Sequence, residues 1–227
     1  MAALTVVFDL DGTLVDTAPD LIETLNVVFT RDGLPPLDYA AARDMIGAGA
    51  RRMIESGLKL QGRALADDAV DRMFADFITH YAAHVADRSQ PFPGLGAALD
   101  RLAGRGCRFA VCTNKLEGLS RLLLETLGLT SRFTAICGPD TFGIQKPDPE
   151  ILRRTIQAAG GALQRAVMVG DSGTDIATAR AAGVPIVAVD FGYSETPIRE
   201  LRPDRLISHF DELADAVFAL RQPDISR

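Results

Sequence analysis

The sequence predicts an α/β fold, a doubly wound parallel sheet with an all-helical insert after its first strand. Three observations carry that prediction. Short apolar runs ending at Phe8, Cys112, Cys137, Val169 and Val189 are separated by segments long enough for helices, the pattern of βαβ units. Several runs stop abruptly in polar residues, at Asp9-Leu10-Asp11, Thr113-Asn114 and Gly170-Asp171-Ser172, and open parallel sheets keep their ligands beyond such strand ends. Between Asp16 and Arg88 no strand-like run occurs, and apolar residues recur there at helical spacing. The expected division is therefore residues 1–15 and 88–227 as a core and residues 16–87 as a helical cap.

Taken in order, Val6, Val7 and Phe8 form a short buried strand. Two carboxylates at i and i+2 follow, on the same side of an extended chain, and Gly12 permits the turn after them. Thr17-Ala-Pro-Asp20 has the spacing of a helix capping box, and Leu21, Leu25, Val28 and Phe29 continue at helical intervals. The segment Gly33–Asp38 is a break. Helices are expected around Tyr39–Ile46, Ala50–Leu60 and Asp67–Val85.

From Pro91 the alternation begins. Leu95–Leu102 is a helix ended by Gly104 and Gly106, Arg108–Asn114 a strand, Leu116–Leu127 a helix and Phe133–Cys137 the third strand. The Lys146-Pro-Asp-Pro loop opens a helix over Pro149–Ala159. Val167–Val169 is a strand, Asp175–Ala182 a helix, Val184–Val189 a strand, Arg205–Ile207 a short strand, and Asp211–Leu220 a last helix.

With 227 residues, 47% of them hydrophobic, the chain can bury a substantial core. A net charge of -6 argues against nucleic-acid backbones and anionic membranes as main partners, and a bound phosphate must be met by local cations, a metal or backbone amides. No apolar run reaches membrane-spanning length, and the N-terminal residues lack a basic leader region, so a soluble cytoplasmic protein is expected. Cys107, Cys112 and Cys137 are odd in number and form no C-x-x-C, which fits reduced structural thiols.

In a parallel sheet the strand ends share one edge. Asp9, Asp11, Thr113, Asn114, Asp171 and the nearby Lys146 and Asp175 converge there. Singly, each has an ordinary structural reading, as a turn, a loop lysine or a helix cap. Jointly, they form a site whose carboxylate oxygens suit a hard cation such as Mg²⁺, and with no Cys or His among them zinc is disfavoured.

The motifs DxDGTL, a strand ending in Thr, a lysine, and GDxxxD resemble those of the haloacid dehalogenase superfamily of phosphotransferases, over essentially the whole chain. The helical insert resembles that family's C1-type cap on a Rossmann-like core. FDLDGTLVDTAPDL, IGAGARRMI, PFPGL and GDSGTDIATARAAG further resemble its bacterial phosphoglycolate phosphatase branch.

The resemblance implies a Mg²⁺-dependent phosphate monoesterase working through an aspartyl-phosphate. It makes Asp9 the nucleophile and Asp11 the acid and base, protonated at the first step under the charge of Asp9 and a water-excluding cap. Asp9, the Asp11 carbonyl and Asp171 would hold Mg²⁺. Thr113, the Asn114 amide and Lys146 would hold the phosphoryl oxygens, with Ser172 and Asp175 supporting them. Asp11 also separates this chain from dehalogenases, which lack an acid there. Lys59 is the only lysine in the insert and sits late in a helix, which disfavours the cap-lysine Schiff base of phosphonatases.

The loop Gly47-Ala48-Gly49 lies where such caps carry a specificity loop. Arg43 precedes it, and Arg51 and Arg52 follow; one of them would grip the carboxylate of a small substrate such as 2-phosphoglycolate. His80 and His84 have the i,i+4 spacing of a metal pair but no third ligand, and read as ordinary helix residues. The expected partner is a small phosphorylated metabolite, the chain acting as monomer or homodimer. Rival readings are a β-phosphoglucomutase-like mutase, a pyrophosphate or nucleotide phosphatase, and a receiver-like phospho-acceptor. Receivers, however, take phosphate on the third strand, which here ends in Gly138-Pro139 with no buried acid before it.

Overall fold

The structure is a computed structural model describing residues 3–194 and 196–220; residues 1, 2, 195 and 221–227, which include the outer ends of the expected core, lie outside the described residues. The chain opens with β1 (Thr5–Phe8) and β2 (Val15–Asp16). Four helices follow, α1 (Ala18–Arg31), α2 (Tyr39–Arg43), α3 (Ala50–Leu60) and α4 (Asp67–Ala83), before β3 (Gln90–Pro91). Then come α5 (Leu95–Ala103), β4 (Arg108–Cys112), α6 (Glu117–Thr126), β5 (Ala135–Cys137), α7 (Pro139–Phe142) and α8 (Pro149–Ala158). β6 (Ala166–Gly170), α9 (Gly173–Ala182), β7 (Ile186–Val189), β8 (Arg205–Ile207) and α10 (Leu213–Ala219) complete it.

Among the described residues, six strands form one parallel sheet in the order β5-β4-β1-β6-β7-β8. The chain leaves β1 toward β4 and β5, then returns across the sheet to β6, β7 and β8. The order thus reverses around β1, where a doubly wound sheet opens its ligand crevice. Register fixes the depth of that crevice. Phe8 lies opposite both Val111 and Val169, so the residues that follow all three strands emerge at one level.

Alternation divides the core into two layers. Val6, Phe8, Val111 and Val169 pack with Leu99 of α5, Leu123 of α6 and Leu213 of α10. Val7, Ala110, Met168 and Ile186 pack on the opposite face with Ile151 of α8 and Ile176 of α9. Both faces are therefore covered by helices, which is why the strands read as nearly continuous apolar runs.

In the insert, α4 packs against α1 and α3. The apolar packing around Phe29, Met73 and Phe77 is continuous with that of the sheet face bearing Phe8.

Four local expectations are corrected. The Thr17–Asp20 capping box does not form: the Thr17 hydroxyl has no partner, and the buried Asp20 carboxylate accepts from the Arg88 and Ser89 amides and the Ser89 hydroxyl, the last at 2.6 Å. Asp20 thus ties the two chain crossings together instead of capping its own helix. β2 and β3 pair as a short antiparallel ribbon at those crossings, where the sequence shows no strand. The helix expected over Tyr39–Ile46 ends at Arg43, and the short α7 was not foreseen. Cys112 and Cys137 are buried and Cys107 half-buried, all three free. No described helix is long and apolar enough to cross a membrane.

Candidate active site

Asp9 leaves β1, Thr113 follows β4 and Asp171 follows β6, so the three neighbouring strands deliver them side by side. Gly12, at φ +81°, turns the chain after Asp11 hard against the third of these. A Cβ at Gly12 would collide with the Asp171 carboxylate, so an L side chain is excluded both by conformation and by space. Thr13 Oγ1 donates to Asp171 Oδ1 at 2.9 Å, and the Tyr193 amide donates to Oδ2 at 2.6 Å.

Lys146, buried on the loop before α8, bridges two of the acids. Its Nζ stands 2.8 Å from Asp9 Oδ1 and 2.7 Å from Asp175 Oδ1. Asp175 sits in the first turn of α9 and forms a capping box with Ser172. Its Oδ2 accepts from the Ser172 amide at 3.1 Å and the Ser172 hydroxyl at 2.6 Å. With both oxygens engaged, Asp175 holds Lys146 in place. The Asn114 side chain bridges backbones, accepting from the Lys146 amide at 2.9 Å and donating to the Gly47 carbonyl at 3.3 Å. The insert loop at Gly47 is thereby tied to the sheet edge.

Four buried carboxylates (Asp9, Asp11, Asp171, Asp175) meet two buried ammonium groups, Lys115 and Lys146. The surplus is negative. Burial raises Asp9 from the ordinary carboxylate range to about 7, Lys146 opposing and Asp175 and Asp11 adding to the effect. Burial likewise raises Asp171 to about 8, with Asp175 and Asp9 adding and the Tyr193 amide and Thr13 hydroxyl opposing. Burial alone would lower Lys146, yet the Asp175 and Asp9 carboxylates hold it above the usual ammonium range.

One oxygen from each of Asp9, Asp171 and Asp175 lies within 4.8 Å of the other two. Since Asp175 is saturated by Lys146 and Ser172, Asp9 and Asp171, whose burial raises them above the ordinary carboxylate range, are those left to share a cation. A buried excess of hard oxygen donors fits a divalent hard ion. Among the described residues this is the one cluster of His, Cys, Asp or Glu close enough to hold an ion. His80 and His84 only lean on each other, ring centroids 4.5 Å apart, with His84 Nδ1 2.7 Å from Asp87.

Two features differ from the expectation at Asp11. It does not lie beside Asp9 alone: Lys115 Nζ is 2.9 Å from its Oδ1 and 3.1 Å from its Oδ2. The same ammonium lies 4.4 Å from the centroid of the Tyr81 ring on α4. Lys115 and Tyr81 were not singled out in the sequence. A lysine next to Thr113-Asn114 reads as a turn residue, and Tyr81 falls on the apolar stripe with Met73 and Phe77.

Above the acids opens a cavity of about 270 Å³, walled by Leu21, Ile46, Met53, Phe77, Tyr81 and Lys115. Gly47, Arg51 and Arg52 also reach its rim. Arg51, however, is half exposed and already held by Asp71 at 2.5 Å and Glu55 at 3.2 Å, and Arg52 points to solvent beside Glu55. The free cation expected from this pair is therefore engaged on the protein's own acids. Arg43 instead turns to the sheet: it donates to the Gly192 carbonyl at 2.9 Å and lies 4.9 Å over the Tyr193 ring. The Tyr193 hydroxyl in turn bonds Asp16 and accepts from the Ala18 amide at 3.0 Å. Tyr193 thus joins Asp171 to the first chain crossing, a role that no sequence signal marks.

The sequence profile of the haloacid dehalogenase-like hydrolases matches residues 6–189. A phosphoglycolate phosphatase of Mesorhizobium japonicum is 49% identical over 213 residues, covering 94% of each chain. The phosphoglycolate phosphatase of Agrobacterium fabrum is 47% identical over 212 residues, 93% of this chain and 91% of that one. Among solved structures, a predicted phosphoglycolate phosphatase from Haemophilus somnus superposes with a TM-score of 0.86 at 27% identity, covering 97% of this chain and 98% of its own. A predicted phosphatase from Clostridium acetobutylicum shares the fold with a TM-score of 0.83 at 20% identity, covering 96% of this chain and all of its own.

Proposed function

The chain belongs to the haloacid dehalogenase-like hydrolases, and from that premise we propose that it hydrolyses small phosphate monoesters, 2-phosphoglycolate above all, through a phosphorylated Asp9. The observation that carries this reading is the ion pair at the end of β1. A carboxylate oxygen of Asp9 is fixed 2.8 Å from a buried ammonium that is itself clamped by Asp175. A carboxylate so placed is a nucleophile whose position is set before substrate arrives. The phosphoglycolate phosphatases of Mesorhizobium japonicum and Agrobacterium fabrum support the choice of substrate.

The chemistry is two displacements at phosphorus. In the first, an Asp9 oxygen bonds to phosphorus and the ester oxygen leaves, taking the proton of Asp11 to become glycolate. In the second, water bonds to phosphorus while Asp11 takes its proton, and the Asp9–phosphorus bond breaks to give phosphate and the original carboxylate. Lys146, the Thr113 hydroxyl and the Asn114 backbone amide hold the phosphoryl oxygens, and Asp175 and Ser172 keep Lys146 aimed. Asp9, the Asp11 carbonyl and Asp171 would hold Mg²⁺. When bound, the ion supplies charge neutralisation between the acids and the phosphoryl group. The insert, residues 16–87, acts as a cap that excludes water and shapes the cavity for the leaving group.

Steady release of phosphate from 2-phosphoglycolate, in preference to sugar phosphates, pyrophosphate and nucleotides, is the expected result of a monoester panel assayed with Mg²⁺. Isomerisation of a sugar phosphate without net phosphate release would instead assign the mutase reading.

Metal binding has a pH signature. In the metal-free protein Asp9 and Asp171 bind protons more tightly than in the unfolded chain, where a carboxylate titrates near ~3.9. Their burial therefore costs least below ~3.9, costs more as pH rises from there, and reaches its full cost once pH has passed about 7 and about 8. A dication relieves that cost by replacing the protons. Thermal melts should show a larger Mg²⁺-induced rise in Tm at about pH 8 than at about pH 6. An equal rise at both would contradict the assignment of these two acids as ligands.

A further inference from the structure

We propose that Lys115, assisted by the Tyr81 hydroxyl, reads the carboxylate of the leaving group and so determines substrate specificity; this rests on the phosphoglycolate reading above. Position comes first. Lys115 Nζ is 2.9 Å from the Asp11 carboxylate, the group that hands its proton to the ester oxygen. In 2-phosphoglycolate the carboxylate is one methylene from that oxygen, so an ammonium touching Asp11 lies within reach of it. An ammonium has three donors, and Asp11 occupies only one side of this one. Lys115 and Tyr81 both wall the cavity above Asp9.

An unpaired polar atom adds independent support. Tyr81 is wholly buried, and its hydroxyl makes no well-formed hydrogen bond among the described residues, although the Lys115 ammonium is close enough to act on it. Buried hydroxyls in native proteins are almost always satisfied, and one left short of a partner on a residue that walls a ligand cavity is available to a ligand atom. Leu21, Ile46, Met53 and Phe77 make much of the remaining wall apolar, with Asn114 and Gln145 also lining it. Such a wall offers few partners to the hydroxyls of a sugar or a nucleoside, while accepting a two-carbon acid whose single charge is met at Lys115. Arg51, the alternative cation at the rim, is already neutralised by Asp71 and Glu55.

The test compares 2-phosphoglycolate with 2-hydroxyethyl phosphate, which keeps the alkoxide leaving group and its need for Asp11 but lacks the carboxylate. Lys115→Met should lower the ratio of kcat/KM for 2-phosphoglycolate to that for 2-hydroxyethyl phosphate by about a hundredfold, while any loss that comes through Asp11 falls on both substrates alike. Tyr81→Phe removes only a hydroxyl without a well-formed hydrogen bond, so it should fold normally and shift the same ratio in the same direction by about tenfold. It decides the matter if Lys115→Met does not fold. Equal losses on both substrates would reduce Lys115 to a support for Asp11 and overturn the proposal, as would an unchanged preference in both variants. If the unmodified enzyme itself does not prefer 2-phosphoglycolate, the substrate reading fails and this subsite with it. A retained preference in the variants sinks the subsite alone.

Discussion

Asp9→Asn is expected to lower kcat by a factor on the order of 10⁴ to 10⁶, the loss typical of removing a covalent nucleophile. The amide keeps the shape of the side chain, so positioning by Lys146 through Asp9 Oδ1 survives in outline. What disappears is the anionic oxygen that bonds to phosphorus. The fold should not suffer. Asp9 is buried among Asp11, Asp171 and Asp175 with only two buried ammonium groups nearby, so removing one negative charge relieves repulsion. The metal-free variant should therefore melt no lower than the parent protein above about pH 7, while its Mg²⁺-induced stabilisation shrinks. A variant that is inactive only because it unfolds at assay temperature would count against this reading of the site.

Lys146→Met should have the second-largest effect, and on a different axis. It strips the partner from two buried carboxylates at once, Asp9 at 2.8 Å and Asp175 at 2.7 Å. Breaking a buried pair from one side leaves uncompensated charge and costs roughly 3–5 kcal/mol. For a chain of this length that corresponds to a fall in Tm of about 10 °C. Activity should fall by on the order of 10³ as well, since a donor to the phosphoryl oxygens is lost. The loss of stability should ease as pH falls, because protonation of Asp9, raised to about 7, removes one of the stranded charges. Lys146→Arg is not expected to rescue: a planar, longer guanidinium cannot occupy a fully buried point between two carboxylates. Melts at several pH values, paired with single-turnover assays, separate the two consequences.

Much of this was legible in the sequence because local pattern and global topology agree. The apolar runs are buried on both faces, so they stand out without alternation, and the polar residues that end them fall at the sheet edge by topology alone. Thr113, Lys146, Asp171 and Asp175 could be placed relative to Asp9 on that basis.

What escaped depends on contacts distant in the chain. Asp20 has the spacing of a capping residue, yet Arg88 and Ser89 satisfy it from 68 and 69 residues away, and no local signal chooses between those partners. The β2–β3 ribbon is two residues per strand, below any period that a sequence can display. Lys115 owes its importance to burial against Asp11 and Tyr81, which the residue before it in sequence does not announce. Arg51 errs in the opposite direction. Beside a glycine loop it reads as a free cation, but α4 brings Asp71 to it from twenty residues on.

If Asp9 is the nucleophile, a protein carboxylate takes the phosphoryl group before water does. Hydrolysis of a thiophosphate analogue, made chiral at phosphorus by sulfur and two oxygen isotopes and cleaved in water carrying the third isotope, measures that directly, because each in-line displacement inverts the centre. Two displacements, first by Asp9 and then by water, predict inorganic thiophosphate of retained configuration. Inverted thiophosphate would mean that water attacks the ester itself, with Asp9 no more than a charge beside the reaction.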